Sequence, residues 1–494
     1  MKRSSGILLH VTSLPGAHGI GDLGPAAYAW VDRLAICGQT WWQMLPLGPT
    51  GYADSPYQCL SAFAGNPNLI SLERLVDDGL LEPKDLRRHE WPLGEVDFDR
   101  VTPFKQDATA LAFVRFKSKS SSHQGFARFC REEARWLDAF ALFVALKERH
   151  GGVAWWDWPA KDRIYEHAAA NQSPELEPAI DLCRFRQFCF FEQWQQLRDY
   201  AHGRGVRLIG DMPIFISSDS ADVWSQPQLF QLDKDRQPTF VAGVPPDYFS
   251  KTGQLWGNPL YDWEKHRATG YAWWSDRMQS SLRMVDLVRL DHFRGFESYW
   301  AVPAGSKTAQ PGSWVAGPGA DFIGALQTSL GSLPLIAEDL GVITPEVDAL
   351  RTGFDLPGMR ILQFAFGGAQ EDRFFPHHFD QRTVVYTGTH DNETTVGWYD
   401  NLSQREQEFL ESYSPGAGKD PAWGLMRLAW ASVADLAIAP LQDLLRLGNE
   451  ARMNLPGTAE GNWRWRVDPR LLKAELFQRL GEMTTIYQRS GTQK

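Results

Sequence analysis

Eight short stretches of the chain are largely apolar throughout, which is typical of strands covered on both faces in a parallel sheet. They lie at residues 6–11, 40–47, 206–215, 284–293, 332–341, 358–366, 383–391 and 437–441. Between and after them, apolar residues recur at helical spacing in segments 26–35, 188–202, 345–351, 405–412, 423–436 and 470–488. Alternation of strands and helices predicts an α/β fold, and eight strands favour a closed (β/α)8 TIM barrel over an open sheet.

Two connections are longer than such a barrel requires. Residues 48–205, after the second strand, indicate a mostly helical insertion, and residues 216–283, after the third, indicate a loop-rich insertion with many aromatic side chains. Long connections often cover a functional site. Because no repeat or linker separates them from the rest, we expect residues 1–494 to form a single barrel domain with insertions.

The composition excludes several classes of partner. A net charge of −10 argues against a nucleic acid or an anionic membrane. No apolar run approaches the length of a membrane-spanning helix, and the apolar stretch after the first five residues is too short for a signal peptide. The five cysteines lack metal-type spacing, so we expect reduced thiols in a cytoplasmic protein. A plastid location stays open, since a transit peptide need not be part of this sequence.

The chain contains 21 tryptophans, which is unusually many. Indole rings bury well in a protein core, but they also stack on the apolar faces of sugars while nearby carboxylates and amides bind the hydroxyls. Composition does not choose between these two interpretations.

Several motifs match known ligand sites only in part. Residues 19–24 fit the G-x-G-x-x-G of dinucleotide-binding folds, but they lie too far after the first strand, and no acid ends the second strand. The sequence Asp233-Lys234-Asp235 lacks the glycine and the glutamate of a calcium loop. His377 and His378 are adjacent, so their rings diverge. We therefore predict no metal and no cofactor.

Acidic residues close three of the predicted strands, in Val288-Arg289-Leu290-Asp291-His292, Ala337-Glu338-Asp339 and Thr389-His390-Asp391-Asn392. Such strand ends place charge at the rim of a barrel, where a substrate can reach it. Arg289 and Asp291 are two residues apart and face the same side. The guanidinium is expected to lower the pKa of Asp291 and to keep it as the anion that a nucleophile must be, although a structural ion pair would give the same pattern.

The second strand end offers a general acid. Glu338 follows a wholly apolar strand, and such surroundings raise the pKa of a carboxyl group so that it holds a proton near neutrality. Asp339 competes for this role, and spacing does not decide between the two. Asp391, preceded by His390, is the third acid; it could bind sugar hydroxyls in an oxocarbenium-like transition state, or it could be a turn or helix cap.

The same three stretches resemble the characteristic regions of the α-amylase clan. Further stretches resemble the amylomaltases, the 4-α-glucanotransferases of glycoside hydrolase family 77, and they extend over the whole chain. They are Gly6-Ile7-Leu8-Leu9-His10, Thr12-Ser13-Leu14-Pro15-Gly16, Asp54-Ser55-Pro56-Tyr57, Ser61-Ala62-Phe63-Ala64-Gly65-Asn66-Pro67, Asp211-Met212-Pro213-Ile214-Phe215, Gly243-Val244-Pro245-Pro246-Asp247-Tyr248-Phe249-Ser250, Gln254-Leu255-Trp256-Gly257-Asn258-Pro259-Leu260-Tyr261, Asn454-Leu455-Pro456-Gly457-Thr458 and Asn462-Trp463-Arg464.

The resemblance implies a role for each matching residue. Asp291 would be the nucleophile, Glu338 the acid/base and Asp391 the transition-state carboxylate. The other implied roles are support of catalysis by Arg289 and His390, lining of the substrate cleft by Tyr57, Asp211, Trp256 and Asn462, and a loop over the cleft that carries Tyr248 and Phe249. The chain departs from the family pattern at Val11, at Glu460-Gly461 and at Glu393.

The sequence therefore predicts a retaining 4-α-glucanotransferase that moves α-1,4-glucan segments of maltooligosaccharides or amylose to an acceptor. Two inversions through a covalent glucosyl-enzyme would give retention. The alternatives are an α-glucan hydrolase of the same clan, which would give only shorter products from maltotriose, and a non-catalytic glucan-binding protein, which would not need the carboxylates. A dinucleotide-dependent oxidoreductase is a further alternative, and added NAD would shift its melting temperature.

Overall fold

The computed structural model of the protein describes residues 2–86, 89–119, 123–246, 251–367 and 372–491. This part of the chain contains twelve strands. They are β1 (Ser4–Leu8), β2 (Trp41–Gln43), β3 (Arg207–Pro213), β4 (Phe240–Val244), β5 (Gln254–Pro259), β6 (Leu287–Asp291), β7 (Ser298–Pro303), β8 (Ser313–Ala316), β9 (Leu335–Ala337), β10 (Gly358–Ile361), β11 (Thr383–Tyr386) and β12 (Leu436–Pro440).

Eight of these strands form a closed parallel barrel in the order β1-β12-β11-β10-β9-β6-β3-β2. Each lies within or next to one of the eight predicted apolar runs, and the predicted (β/α)8 barrel is confirmed. Their side chains are almost entirely buried because the barrel interior covers one face and the surrounding helices cover the other.

The barrel closes where the first strand meets the last, with Ser4 in register with Leu436. The fully buried guanidinium of Arg489 donates to the carbonyl oxygens of Ser4 on β1 at 2.9 Å, of Trp430 at 2.8 Å and of Ser432 at 3.0 Å. The C-terminal segment therefore satisfies backbone acceptors at the seam and ties the two ends of the chain together.

The other four strands form an antiparallel sheet in the order β5-β4-β7-β8, which the sequence pattern did not predict. β4 and β5 lie inside residues 216–283, where loops were expected. Their runs are short and partly exposed, and all four residues of β8 are exposed, so a search for continuous apolar runs does not detect them.

Nineteen α-helices occur in the described residues, and seven of them, α2–α8, lie between β2 and β3. The helices are α1 (Pro25–Ile36), α2 (Leu72–Asp77), α3 (Phe98–Ser118), α4 (His123–Glu132), α5 (Ala134–Arg149), α6 (Ala160–Arg163), α7 (Tyr165–Ala170), α8 (Glu177–Gly203), α9 (Ala221–Ser225), α10 (Trp263–Ala268), α11 (Ala272–Met284), α12 (Gly319–Leu330), α13 (Pro345–Gly353), α14 (Gln363–Phe366), α15 (Thr395–Asn401), α16 (Gln404–Tyr413), α17 (Pro421–Ala431), α18 (Leu441–Leu445) and α19 (Ala474–Ile486).

Most tryptophans belong to the core. Fifteen of the 21 are buried, and a single hydrophobic cluster runs through both the barrel and the helical segment after β2. The interpretation of the tryptophans as core residues therefore accounts for most of them. Trp256 and Trp314 are among the few that keep exposed surface. No helix in the described ranges is long and apolar enough to cross a membrane.

Candidate active site

The candidate residues gather at the carboxyl ends of neighbouring barrel strands. Asp211 on β3 is in register with Arg289 on β6, and Leu290 on β6 is in register with Ala337 on β9. Asp291 and Glu338 each follow directly after that second pair, so the two carboxyl groups end adjacent strands. This is the rim where (β/α)8 barrels place their chemistry.

Arg289 is the central cation of this rim. Its Nη1 lies 2.9 and 2.8 Å from the two carboxylate oxygens of Asp211 and 2.8 Å from Oδ1 of Asp291. Burial alone would lower the pKa of Arg289, but the charges of Asp211 and Asp291 raise it well above its ordinary value. The guanidinium therefore stays charged and orients both carboxylates.

The pKa of Asp291 moves in the direction opposite to the one expected from the sequence. It is raised to about 6, mainly because burial disfavours the charged form, and Asp211 and Asp391 add to the effect while Arg289 opposes it. The expected lowering was wrong because burial outweighs the effect of Arg289, which is also shared with Asp211, and because the charges of Asp211 and Asp391 add to the effect of burial. Asp291 is still mostly ionised at neutral pH.

Glu338 is buried and held by two backbone amides. The N–H of His292 donates to its Oε2 and the N–H of Leu340 donates to its Oε1, both at 2.8 Å. The pKa of Glu338 is raised to about 8, first by burial and second by the charge of Asp291. A carboxylic acid with this pKa keeps its proton at neutral pH and can give it to a leaving group.

Asp339, which competed with Glu338 in the sequence, is engaged elsewhere. It is buried, its Oδ1 accepts from the N–H of Met359 at 2.6 Å, and its Oδ2 accepts from Nη1 of Arg360 at 3.1 Å. A Cβ atom at Gly358 would lie only 2.4 Å from Oδ2, so the glycine is what lets this carboxylate approach β10. Asp339 therefore links β9 to β10.

Asp391 lies in the loop after β11, and its side chain is 44% exposed. Its Oδ1 accepts from Nδ2 of Asn454 at 2.6 Å and lies 3.4 Å from Nε2 of His390. The alternative role as a helix cap does not hold, because Thr394 caps helix α15. Since Asp391 raises the pKa of Asp291, the third acid shares the space of the other two.

Tyr57 joins the rim from the helical segment after β2. Its hydroxyl donates to Oδ2 of Asp211 at 2.9 Å and lies 2.8 Å from Nε2 of His390, while the two rings stack at 5.2 Å. Because the single hydroxyl proton goes to the carboxylate, Nε2 of His390 is the donor in the second bond. Trp463 covers this pair, with its ring 5.7 Å from that of Tyr57.

The remaining predicted cleft residues differ in their placement. Trp256 on β5 packs edge-to-face on His292 at 4.8 Å and so lies beside the rim. Asn462 is buried, and its amide is used within its own loop, with Oδ1 accepting from the N–H of Leu455 at 2.9 Å and Nδ2 donating to the carbonyl of Thr458 at 2.9 Å. The predicted residues Tyr248 and Phe249 lie outside the described residues.

Three residues at the site were not assigned a role from the sequence. Asn454 binds Asp391, Trp463 covers Tyr57, and His292 supplies an amide to Glu338. Trp463 and His292 both have φ in the left-handed region, at 66° and 53°. All three lie in stretches that match the family pattern, but the contacts join segments too distant in sequence for spacing to reveal them.

One departure from the family pattern is explained by its contacts. The carboxylate oxygen Oε1 of Glu393 accepts from Nδ2 of Asn401 and from Nδ2 of Asn449, each at 2.7 Å. Glu393 thus joins α15 to the segment after α18 and does not reach the acidic rim.

The glycine-rich stretch 19–24 has a structural role. Asp22 within it accepts from the N–H of Gly24 and from Nζ of the buried Lys105.

The sequence of the whole chain is similar to those of known proteins. The family model described as 4-alpha-glucanotransferase, glycoside hydrolase family 77, matches residues 9–472. The chain belongs to this family. Curated 4-α-glucanotransferases from Synechocystis sp. and Thermus thermophilus are 48% and 47% identical to it, and each alignment covers 98% or more of both chains.

Solved structures agree with this assignment. The chain superposes on an amylomaltase from Streptococcus agalactiae, solved in complex with acarbose, with a TM-score of 0.96, 39% identity, and coverage of 99% of this chain and 100% of that one. An amylomaltase from Corynebacterium glutamicum gives a TM-score of 0.77 at 18% identity, with coverage of 98% of this chain and 75% of that one, and shares the fold. The pair of acids Asp291 and Glu338 thus lies in a 4-α-glucanotransferase barrel.

Proposed function

We propose that this 4-α-glucanotransferase moves α-1,4-glucan segments from maltooligosaccharides or amylose to the 4-hydroxyl of an acceptor glucan or glucose, by double displacement on Asp291. The whole of residues 1–494 acts as one catalytic domain in this proposal. The observation that supports it most is the pairing of Asp291 and Glu338 on adjacent strand ends, with pKa values of about 6 and about 8.

The first half of the reaction breaks the donor linkage. Glu338, protonated at neutral pH, gives its proton to the glycosidic oxygen, while the ionised Asp291 attacks the anomeric carbon. The reducing-end part of the donor leaves with that proton, and a glycosyl ester forms on Asp291. Arg289 holds Oδ1 of Asp291 at 2.8 Å and thereby orients the nucleophile.

The second half transfers the glucan. Glu338, now ionised, takes the proton of an acceptor 4-hydroxyl, and the acceptor oxygen displaces Asp291 from the anomeric carbon. Two inversions give net retention, which requires carboxyl groups separated by about 5–5.5 Å. The charge of Asp291 acts on the pKa of Glu338, as expected for carboxyls that share one linkage.

Asp391 acts on the sugar ring in this proposal. Its partly exposed carboxylate, held by Asn454 at 2.6 Å, accepts hydrogen bonds from ring hydroxyls. These bonds strengthen as the ring flattens toward an oxocarbenium-like transition state. His390, which hydrogen-bonds Tyr57, lies beside Asp391 and supports the same sugar.

The remaining predicted cleft residues contribute to substrate binding in different ways. Tyr57 and Asp211 line the floor of the cleft next to the nucleophile, and Trp256 offers an indole face to a sugar. Because the amide of Asn462 is already paired, its contribution is indirect and acts through the loop that carries Asn454. Tyr248 and Phe249 shield the glycosyl ester from water, so truncating both is expected to raise hydrolysis relative to transfer, and an unchanged ratio would contradict this role.

Incubation with maltotriose tests the function. A transferase yields glucose together with oligosaccharides longer than maltotriose, whereas an α-glucan hydrolase yields only shorter products. Asp291→Asn is expected to abolish turnover while maltotriose binding is retained, since the amide cannot attack. Longer products from this variant at the wild-type rate would exclude Asp291 as the nucleophile.

We also propose that the protein is located in the cytoplasm or in a plastid. The five cysteines are unpaired, which suits a reducing compartment. A relative from Solanum tuberosum, 43% identical over 94% of this chain and 82% of its own length, is named chloroplastic/amyloplastic.

A further inference from the structure

Two separate loops supply the amides that hold Glu338. The N–H of His292 comes from the turn that follows β6, and the N–H of Leu340 comes from the loop that follows β9. Each amide binds a different oxygen of the carboxyl group. The orientation of Glu338 therefore depends on how these two loops sit relative to each other.

Arg294 connects the two loops. It lies in the turn Phe293–Phe296 directly after His292, and its Nη1 donates to the carbonyl oxygen of Val342, two residues after Leu340. Its Nη2 donates to Oγ of Ser298 at 3.1 Å. A single side chain thus joins the backbone next to one amide donor to the backbone next to the other.

The guanidinium of Arg294 is itself fixed in place. Arg294 is only 6% exposed, although Arg is rarely buried to this extent. Its guanidinium carbon lies 3.8 Å from the ring centroid of Trp314 on β8, so the indole covers it as a cation–π partner. Trp314 keeps 42% of its own surface exposed, and the edge strand therefore serves as a cover for the arginine.

The beginning of the loop after β9 is held by a second arginine, Arg373. Arg373 donates to the carbonyl oxygens of Asp339 at 3.4 Å and of Gly341 at 3.0 Å. These bonds fix the beginning of the loop but do not connect it to the turn after β6. Among the described residues, the N–H of Phe293 also joins the turn after β6 to the carbonyl oxygen of Glu338 at 3.1 Å, but the side chain that joins this turn to the loop beyond Leu340 is that of Arg294.

We propose that Arg294 is a positioning residue for the acid/base: by bonding to the Val342 carbonyl, it holds the amides of His292 and Leu340 at the separation that lets both bind Glu338. The inference rests on the proposed role of Glu338. Arg294 contacts neither Glu338 nor the reacting sugar, and its effect on the reaction passes through the loop that it holds.

The test compares Arg294→Met with Arg294→Lys in the full-length protein. Methionine fills the space under Trp314 but cannot donate, so the Leu340 amide should move away from Glu338. We expect kcat for maltotriose to fall about tenfold or more with little change in KM, because the acid is misplaced in the transition state rather than in substrate binding. Lysine can reach Val342 but cannot also bond Ser298, so Arg294→Lys should restore part of kcat.

The pH profile separates positioning from a structural effect. Glu338 faces Asp291 and Arg289 on β6 and Asp339 on its own loop, and the bond from the Leu340 amide lowers its pKa. In Arg294→Met the loss of this bond should move the alkaline limb of kcat/KM to higher pH, and in Arg294→Lys the limb should lie in between. Arg267→Met, which removes an exposed arginine paired with Asp321, should match the wild type.

Two results would overturn the inference. One is an Arg294→Met enzyme with wild-type kcat, and the other is a lower kcat accompanied by a lower melting temperature and an unmoved alkaline limb. Glu338→Gln, measured in parallel, distinguishes a failure of the acid/base role of Glu338 from a failure of the positioning role of Arg294. If that variant keeps full activity, the role of Glu338 itself fails; if it is inactive while Arg294→Met is normal, only the positioning role fails.

Discussion

The hydroxyl of Tyr57 lies 2.8 Å from Nε2 of His390 and donates at the same time to Asp211 at 2.9 Å. This one group connects the loop after β11 to the ion pair of β3 and β6. A tyrosine from the helical segment after β2 therefore contributes to the electrostatics of the acidic rim.

Tyr57→Phe tests this link. The ring would still stack on His390, but His390 would lose its acceptor and Asp211 would lose one donor. We expect kcat/KM for maltotriose to fall by about 10- to 100-fold, as when a buried polar partner is removed. Tyr487→Phe, at the end of α19, is the matched control and should leave the kinetics unchanged. Wild-type kinetics for Tyr57→Phe would show that the hydroxyl is dispensable.

The pH dependence of kcat/KM should be bell-shaped. Activity should fall below about pH 6, where Asp291 becomes protonated and can no longer attack, and above about pH 8, where Glu338 loses the proton that it must donate. Initial rates with maltotriose from about pH 4.5 to 9.5 give both limbs. A rate that stays flat from pH 6 to above pH 9 would argue against Glu338 as the acid.

The same pKa shift predicts how stability changes with pH. Burial, followed by the charge of Asp291, raises the pKa of Glu338 from 4.5 to about 8, so within this window the folded protein holds a proton that the unfolded chain has lost. Glu338 therefore contributes a loss of stability as pH rises from about 4.5 to 8. In Glu338→Gln this contribution disappears. The melting temperature of the variant minus that of the wild type should therefore rise with pH across that range. A pH-independent difference between the two proteins would contradict the shift.

Arg489 should be important for stability rather than for catalysis. Arg489→Ala removes a donor from the carbonyls of Ser4, Trp430 and Ser432 at the barrel seam, although Trp430 and Ser432 each keep a bond from Arg3. We expect a loss of about 3 kcal/mol or more in the free energy of unfolding, with kcat unchanged at a temperature where the variant is folded. Urea unfolding measures this, and Arg427→Ala on the exposed side of α17 is the control.

The barrel could be predicted from the sequence because its strands are buried on both faces, so each appears as an apolar run. The acids Asp291, Glu338 and Asp391 could be predicted too, because each lies near the carboxyl end of such a run, where a charged residue differs clearly from its apolar neighbours. The antiparallel sheet could not be found in this way. The strand Ser313–Ala316 is entirely exposed, and its contribution, the cover that Trp314 gives to Arg294, depends on a contact between distant segments.

The site was only partly predictable because several of its contacts also join segments that are distant in sequence. Local spacing placed Arg289 beside Asp291, but it revealed neither how deeply the site is buried nor that Asp211 shares the guanidinium, and so the predicted direction of the Asp291 pKa was wrong. The bond between Asn454 and Asp391 joins residues 63 apart, and no periodic pattern signals a contact at that separation.

Trapping of the glycosyl-enzyme tests the central claim most directly. An α-maltotriosyl fluoride donor needs no acid to leave, so Glu338→Gln should form the ester on Asp291 but should be slow to pass it to an acceptor without a base. Mass spectrometry of the quenched variant and of its peptides should find one maltotriosyl group, on Asp291. An adduct on another residue, or none under conditions where fluoride is released, would contradict double displacement at this carboxylate.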